Sequence, residues 1–278
     1  MASPDEGPNG MGSFVRWAGS KRLLIPYLGR LYPKAEAPRY VEPLAGSAAL
    51  FFALSPRRAL LSDINRELIE AYRAVQRDVE LVIQCFRRLR RGRAAYYRIR
   101  ADEGGDESPS VKAARFLYLN RYCFNGLYRT NTAGKFNVPY GPPRRPLVEF
   151  EQRLRAGAAV LRSANLVSAD FEEVISRVRR GDFVYMDPPY ALDERRVFRE
   201  YLPGSFSTVD IPRLSAALQF LDEVGATFVL SYEMGQESRA LVGRWYHRTV
   251  ITRRNVAGFA GHRRSASEVI ISNRPVHG

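Results

Sequence analysis

The run Asp182-Phe-Val-Tyr-Met186 ends directly in Asp187-Pro-Pro-Tyr190. Four successive apolar or aromatic side chains read as a strand buried on both faces, the pattern of a parallel sheet. Two prolines then stop it, because neither donates a ladder hydrogen bond and each pushes the residue before it toward extended backbone. Asp187 and Tyr190 are thereby held at the C-terminal edge of a strand, where open α/β sheets bind their ligands.

Six further runs bounded by turn residues fit the same sheet. The first block holds Tyr40-Val-Glu42 and Ala59-Leu-Leu-Ser62, ending at Asp63. The second holds Asn165-Leu-Val-Ser168, Thr227-Phe-Val-Leu-Ser231, Arg248-Thr-Val-Ile-Thr252 and Glu268-Val-Ile-Ile-Ser272, with a helix over 211–224. Seven strands are expected. Between the blocks, residues 72–157 are helical in pattern and rich in arginine and tyrosine, and they read as an inserted domain. Within it, Gly104, Gly105, Ser108 and Pro109 are expected to form an exposed loop.

The chain has 278 residues and a net charge of +14, from 43 Lys plus Arg against 29 Asp plus Glu. Residues 73–157 carry 18 basic and 8 acidic side chains, so most of the excess lies in the inserted segment. That clustering points to a polyanion such as nucleic acid. Cys85 and Cys123 are the two cysteines, without the spacing of a disulfide framework or a zinc site. His247, His262 and His277 fit no metal or triad pattern, so no metal is expected. The opening Met-Ala-Ser-Pro-Asp-Glu-Gly-Pro-Asn-Gly is polar and unlike a signal peptide, and no run would span a bilayer. A cytoplasmic, nucleoid-associated protein without a membrane partner is expected.

A carboxylate, a proline carbonyl and an aromatic face together suit a planar amine. The exocyclic amine of adenine or cytosine is a poor nucleophile, since its lone pair is delocalised into the ring. If Asp187 and the Pro188 carbonyl each accept an N–H, the nitrogen moves toward a tetrahedral shape and its lone pair leaves the ring plane. Tyr190 would stack on the base, which must leave its duplex to reach such a pocket. The loop after the first strand, with Gly46, Ser47 and Ala48, lets backbone approach a ligand, and Asp63 is placed to accept from both hydroxyls of a ribose. These residues imply an adenosine-bearing cofactor and leave a dinucleotide open. Trp17 can cover a flat ring and Lys21 can neutralise a carboxylate.

In order, Trp17-Ala-Gly-Ser-Lys21, Glu42-Pro-Leu-Ala-Gly46, Ser62-Asp-Ile-Asn65, Tyr118-Leu-Asn-Arg-Tyr-Cys-Phe-Asn-Gly126, Gly134-Lys-Phe-Asn-Val-Pro-Tyr-Gly141 and Asp187-Pro-Pro-Tyr190 resemble the Dam-like DNA adenine methyltransferases (alpha class, D12). The resemblance covers nearly the whole chain. It implies an α/β, Rossmann-like sheet of seven strands with a reversed last strand, typical of S-adenosylmethionine (SAM)-dependent methyltransferases. Residues 1–71 and 158–278 would be the SAM-binding catalytic domain, and 72–157 a helical DNA target-recognition domain. Trp17, Lys21, Glu42, Gly46, Asp63 and Asp187 would hold SAM. Pro188 and Tyr190 would hold a flipped adenine beside Asp187.

The resemblance further implies that Asn120, Arg121, Phe124, Asn125, Arg129, Asn137, Pro139 and Tyr140 lie on double-stranded DNA. Phe124 is a candidate wedge between bases or a core residue. A basic hairpin or a flexible, solvated loop is expected where Arg253, Arg254, Arg263 and Arg264 bracket Asn255-Val-Ala-Gly-Phe259. Ala48 stands where many relatives have a second glycine, Leu44 where phenylalanine is usual, and Thr130-Asn-Thr-Ala-Gly134 departs from GATC methylators. The implied reaction is methyl transfer from SAM to adenine N6 in duplex DNA. Alternatives are cytosine N4, adenine in RNA, or a catalytically silent DNA-binding protein of the same fold. A restriction endonuclease encoded nearby is a candidate partner.

Overall fold

The computed structural model describes residues 12–36, 39–102, 104–131, 133–143, 145–189, 206–253 and 265–276, with the backbone alone at 252, 253, 265 and 266. Its strands are β1 (Tyr40–Glu42), β2 (Ala59–Asp63), β3 (Ala164–Ser168), β4 (Phe183–Met186), β5 (Thr227–Glu233), β6 (Tyr246–Arg253) and β7 (Ser265–Ser272). They form one seven-stranded sheet in the order β3-β2-β1-β4-β5-β7-β6, parallel from β3 to β5, with β7 antiparallel to both neighbours. The seven expected strands and the reversed one are all present. The order reverses between β1, which leads to β2 on one side, and β4 on the other, and a ligand crevice belongs at that point.

The central strands are buried on both faces because helices cover both. Along β4, Phe183 and Tyr185 enter one core, while Val184 and Met186 enter the other, the two-residue alternation of a strand. The first core takes in α1 (Ile25–Leu31), α2 (Ala49–Leu54) and α3 (Arg66–Arg77), together with α4 (Val79–Arg88), α5 (Arg93–Ala101), α6 (Pro109–Tyr122) and α7 (Leu147–Leu161). The second takes in α8 (Phe171–Ile175), α9 (Asp210–Glu223) and α10 (Gln236–Val242).

Helix starts follow from side-chain caps. Asn65 accepts from Leu68 N at 3.0 Å at the head of α3, and Asp78 accepts from Leu81 N at 2.9 Å at the head of α4, each meeting an amide that has no partner within its helix. Pro109 opens α6 and is not part of the preceding loop, as suits a residue with a preset φ and no N–H to lose. Aromatic packing centres the helical segment, with Phe86 against Phe150 at 5.2 Å and against Tyr118 at 6.0 Å. Gly157 of α7 leaves room for Phe14, whose ring carbon would lie 2.5 Å from an added Cβ. Residues 12–17 are thereby threaded between the helical segment and the sheet.

Candidate active site

The ends of β1, β2 and β4 meet at one cavity of about 750 Å³, lined by Trp17, Lys21, Glu42, Gly46, Asp63, Asp187 and Pro188. Residues placed there for separate sequence reasons therefore share one space. Leu127, Tyr128, Arg129 and Thr130 close its rim from the helical segment, and Phe171 and Phe206 border it beyond β3.

On the β1 side, Gly46 has φ +46°, and a Cβ there would meet Trp17 Cδ1 at 2.8 Å. Glycine is required by both conformation and space. Ala48 also lies in the left-handed region, at φ 48°, so the departure from a second glycine falls where an L side chain is strained. Asp63 Oδ2 accepts from Gly46 N and its Oδ1 from Asn65 N, each at 2.9 Å. Asn65, and not Asp63, is thus the cap of α3. Burial raises the Asp63 pKa, and those two backbone bonds oppose the rise. Tyr72 OH donates to Gly46 O at 2.7 Å and locks the loop from below.

Glu42 is 2 % exposed and accepts from Tyr40 OH at 2.9 Å. Burial pushes its carboxyl well above the usual carboxylate range, with the Tyr40 bond pulling the other way. Trp17 stacks on Tyr128, with ring centroids 5.4 Å apart and planes 20° apart, and Tyr128 OH donates to Glu67 at 2.7 Å. This stack joins the β1 side of the cavity to the helical segment.

At the end of β4, Lys21 Nζ lies 2.8 Å from Asp187 Oδ1 and 3.5 Å from Glu268 Oε2. Ser231 Oγ donates to the same Asp187 Oδ1 at 3.1 Å and sits 3.0 Å from Tyr185 OH. Asp187 Oδ2 carries no hydrogen bond among the described residues. One oxygen is thus anchored by both Lys21 and Ser231. Burial raises the Asp187 pKa, and Lys21 holds it down.

Asn120 and Arg121, expected on DNA, are buried. The Asn120 amide brackets the Arg16 backbone, accepting from Arg16 N at 2.9 Å and donating to Arg16 O at 2.6 Å. The Arg121 guanidinium donates to Arg145 O and lies 4.8 Å over the Phe150 ring. The other candidates sit together toward the surface. Phe124 is 41 % exposed, and Asn125 beside it has φ 54°. Pro139 O accepts from Phe124 N at 2.8 Å, Arg129 Nε donates to Asn137 Oδ1 at 2.8 Å, and the half-buried Tyr140 meets Tyr96 edge-on at 5.5 Å. Tyr190, Arg254, Arg263 and Arg264 lie outside the described residues, as does the Arg253 side chain.

Sequence reasoning missed Ser231, Glu268 and Tyr128. A lone carboxylate in the apolar run Glu268-Val-Ile-Ile-Ser272 was an available signal, because a buried acid needs a partner. Among the described residues, no group of three or more His, Cys, Asp or Glu could hold a metal, and no helix is long and apolar enough to cross a membrane.

A family model for the D12 class N6 adenine-specific DNA methyltransferases matches residues 17–256. The chain belongs to this family. It is 34 % identical over 270 residues to a type II methyltransferase, M1.LlaDCHI, of Lactococcus lactis subsp. cremoris, covering 94 % of each chain. The retron Ec67 DNA adenine methylase of Escherichia coli is 32 % identical, covering 94 % of this chain and 90 % of the relative. The DNA adenine methylase of Escherichia coli K12 is 30 % identical, covering 95 % of each. Membership makes the protein a DNA adenine methyltransferase, with DNA as substrate and a methyl donor as co-substrate. For a D12 methyltransferase the adenine N6 in DNA takes precedence over cytosine or RNA as the target.

Proposed function

We propose that the donor is SAM, bound in the cavity at the ends of β1, β2 and β4, and that the target adenine is flipped out of duplex DNA to meet it. The single observation that carries this reading is Asp187 anchored through Oδ1 by Lys21 and Ser231, beside Pro188. The donor set fits the cofactor. Gly46, without a Cβ, lets the Trp17 ring close against the loop, Asp63 offers acceptors to a ribose, and Trp17 and Phe171 offer flat apolar faces to an adenosine. When bound, SAM supplies an electrophilic sulfonium methyl.

The chain's own residues then position and polarise. Asp187 Oδ2 accepts one N–H of the adenine amine and the Pro188 carbonyl accepts the other, which frees the lone pair from the ring. Asp187 Oδ2 takes the proton that N6 releases. Catalysis of this kind rests on orientation and preorganised acceptors and needs no side-chain nucleophile. Lys21 keeps Asp187 ionised and fixed. Residues 1–71 and 158–278 serve the cofactor, and 72–157 serve target recognition through Phe124, Asn125, Arg129, Asn137, Pro139 and Tyr140. Tyr190 stacks on the flipped base. Relatives named as type II methyltransferases support a nearby restriction endonuclease as partner.

The test is to incubate wild type and Asp187→Asn with SAM and unmethylated duplex, then identify methylated nucleosides by mass spectrometry. N6-methyladenine from wild type alone is expected. Equal product from the variant would remove Asp187 from the mechanism, and SAM binding without any product would leave a silent DNA-binding protein.

A further inference from the structure

At the edge of the sheet opposite Asp187, four neighbouring parallel strands are each entered through arginine. Arg162 ends α7 just before β3, Arg58 precedes β2, Arg39 precedes β1, and Arg177 and Arg179 lead into β4. Parallel strands start on one side of a sheet, about 4.8 Å apart, and the order β3-β2-β1-β4 sets these residues in a row. With Ser163, Asn165 and Ser176 they line a cleft of about 820 Å³.

The charges in this row are unequally compensated. Arg39 Nε donates to buried Asp182 at 3.2 Å and Arg39 Nη2 donates to Arg177 O at 2.8 Å, so Arg39 is fixed and neutralised. Arg177 pairs with Glu173. Arg58, Arg162 and Arg179 are exposed and have no side-chain hydrogen bond or ion pair among the described residues. Three guanidinium groups without counter-charge around one concave surface raise a strongly positive potential there. Their planar forks match phosphate oxygens, and the Asn165 amide adds a neutral donor, while the Ser163 and Ser176 hydroxyls donate to Val160 O and Glu173 O.

We propose that this cleft is a second site for phosphate groups, distinct from the methylation site, whose source is the phosphodiester backbone of a DNA segment outside the target. The length of the strands separates the row, at their N-terminal ends, from Asp187 just past the C-terminal end of β4, so a short duplex engaged at the methylation site does not reach it. A second segment held there would raise the local concentration of duplex around the enzyme. The DNA arm rests on DNA as the substrate and is independent of the donor's identity.

The test compares the full-length protein with the triple variant Arg58→Ser/Arg162→Ser/Arg179→Ser and with the corresponding Arg→Lys triple. All three side chains are exposed, so folding is expected to survive. Binding of a long duplex is titrated against salt, where each phosphate contact adds ~0.9 to the slope of log K on log salt. The serine variant should show a slope shallower by about 2–3, the lysine variant should keep it, and single-turnover methylation of a short target duplex should be unchanged in both. In parallel, inorganic tripolyphosphate at matched ionic strength should raise the wild-type Tm and not that of the serine variant. Loss of the Tm gain with an unchanged slope would support the phosphate site and name free polyphosphate as its source. An unchanged slope with an unchanged Tm gain would overturn the proposal. Loss of methylation on the short duplex would overturn its separation from the active site.

Discussion

Lys21 Nζ stands between Asp187 Oδ1 and Glu268 Oε2, at 2.8 and 3.5 Å, and so ties the segment before α1 to the end of β4 and the middle of β7. The lysine is 7 % exposed and Glu268 1 %, so these charges meet where water screens little. Burial works to protonate Asp187, and Lys21 works to keep it charged. A buried charge without its partner is the costly case. The pairing of Lys21 with Asp187 therefore opposes the effect of burial on the carboxyl.

Replacing Lys21 with Met leaves burial as the main influence on Asp187, reinforced by the charge of Glu268. The Asp187 pKa rises further. If methyl transfer uses the carboxylate, the acid limb of the single-turnover rate profile should move to higher pH, measured at saturating SAM. A lower rate with an unmoved limb would show that Lys21 acts only on cofactor binding.

Glu42 gives a pH dependence of stability. Its folded pKa lies well above the unfolded value because burial disfavours the charge. A group of this kind contributes stability that is fully present below the unfolded pKa of about 4.3 and is lost as pH rises through the folded one. Glu42→Gln keeps an acceptor for Tyr40 without the charge. In urea melts the variant should gain stability relative to wild type between pH 5 and pH 8. A difference that stays constant with pH would contradict the assignment of a raised pKa.

The central sheet was legible because β1, β2 and β4 are continuous apolar runs, which is what burial on both faces demands. β6 is less so. Its side chains from Tyr246 to Thr249 are exposed, and the strand begins two residues before the run that marked it. The gathering of Gly46, Asp63 and Asp187 around one cavity was legible because turns and prolines pin them to strand ends. Asn120 and Arg121 were not, since a polar residue type does not reveal its side of a helix. α6 is buried on all sides from Phe116 to Tyr122, where the Asn120 amide brackets Arg16 and the Arg121 guanidinium bonds Arg145 O and covers the Phe150 ring. Glu268 escaped because its role depends on β7 inserting antiparallel beside β5, where Glu268 pairs with Glu233, a register that no local pattern encodes.

The Trp17–Tyr128 stack predicts a coupling between donor and DNA. An aromatic pair contributes about 0.5–1.5 kcal/mol beyond its buried area. Tyr128→Ala should therefore weaken SAM binding about two- to tenfold in isothermal titration, although Tyr128 belongs to the segment assigned to DNA. Tyr128→Phe keeps the stack, loses the bond to Glu67, and should stay within about threefold of wild type. Equal weakening in both variants would assign the effect to Glu67.

Asn120 and Phe124 lie four residues apart and should fail in opposite ways. Asn120→Ala leaves the buried Arg16 N–H and carbonyl without their amide partner, and it should cost about 2–4 kcal/mol in urea denaturation. Phe124 is exposed, so Phe124→Ala should change stability by less than about 0.5 kcal/mol. If its ring wedges between bases, the variant must instead bear the cost of opening the duplex unaided. Methylation of an intact duplex should fall at least about tenfold, whereas a duplex with a mismatch at the target adenine, already cheap to open, should be methylated nearly as fast as by wild type. Equal losses on both duplexes would show that Phe124 reads or holds DNA without opening it.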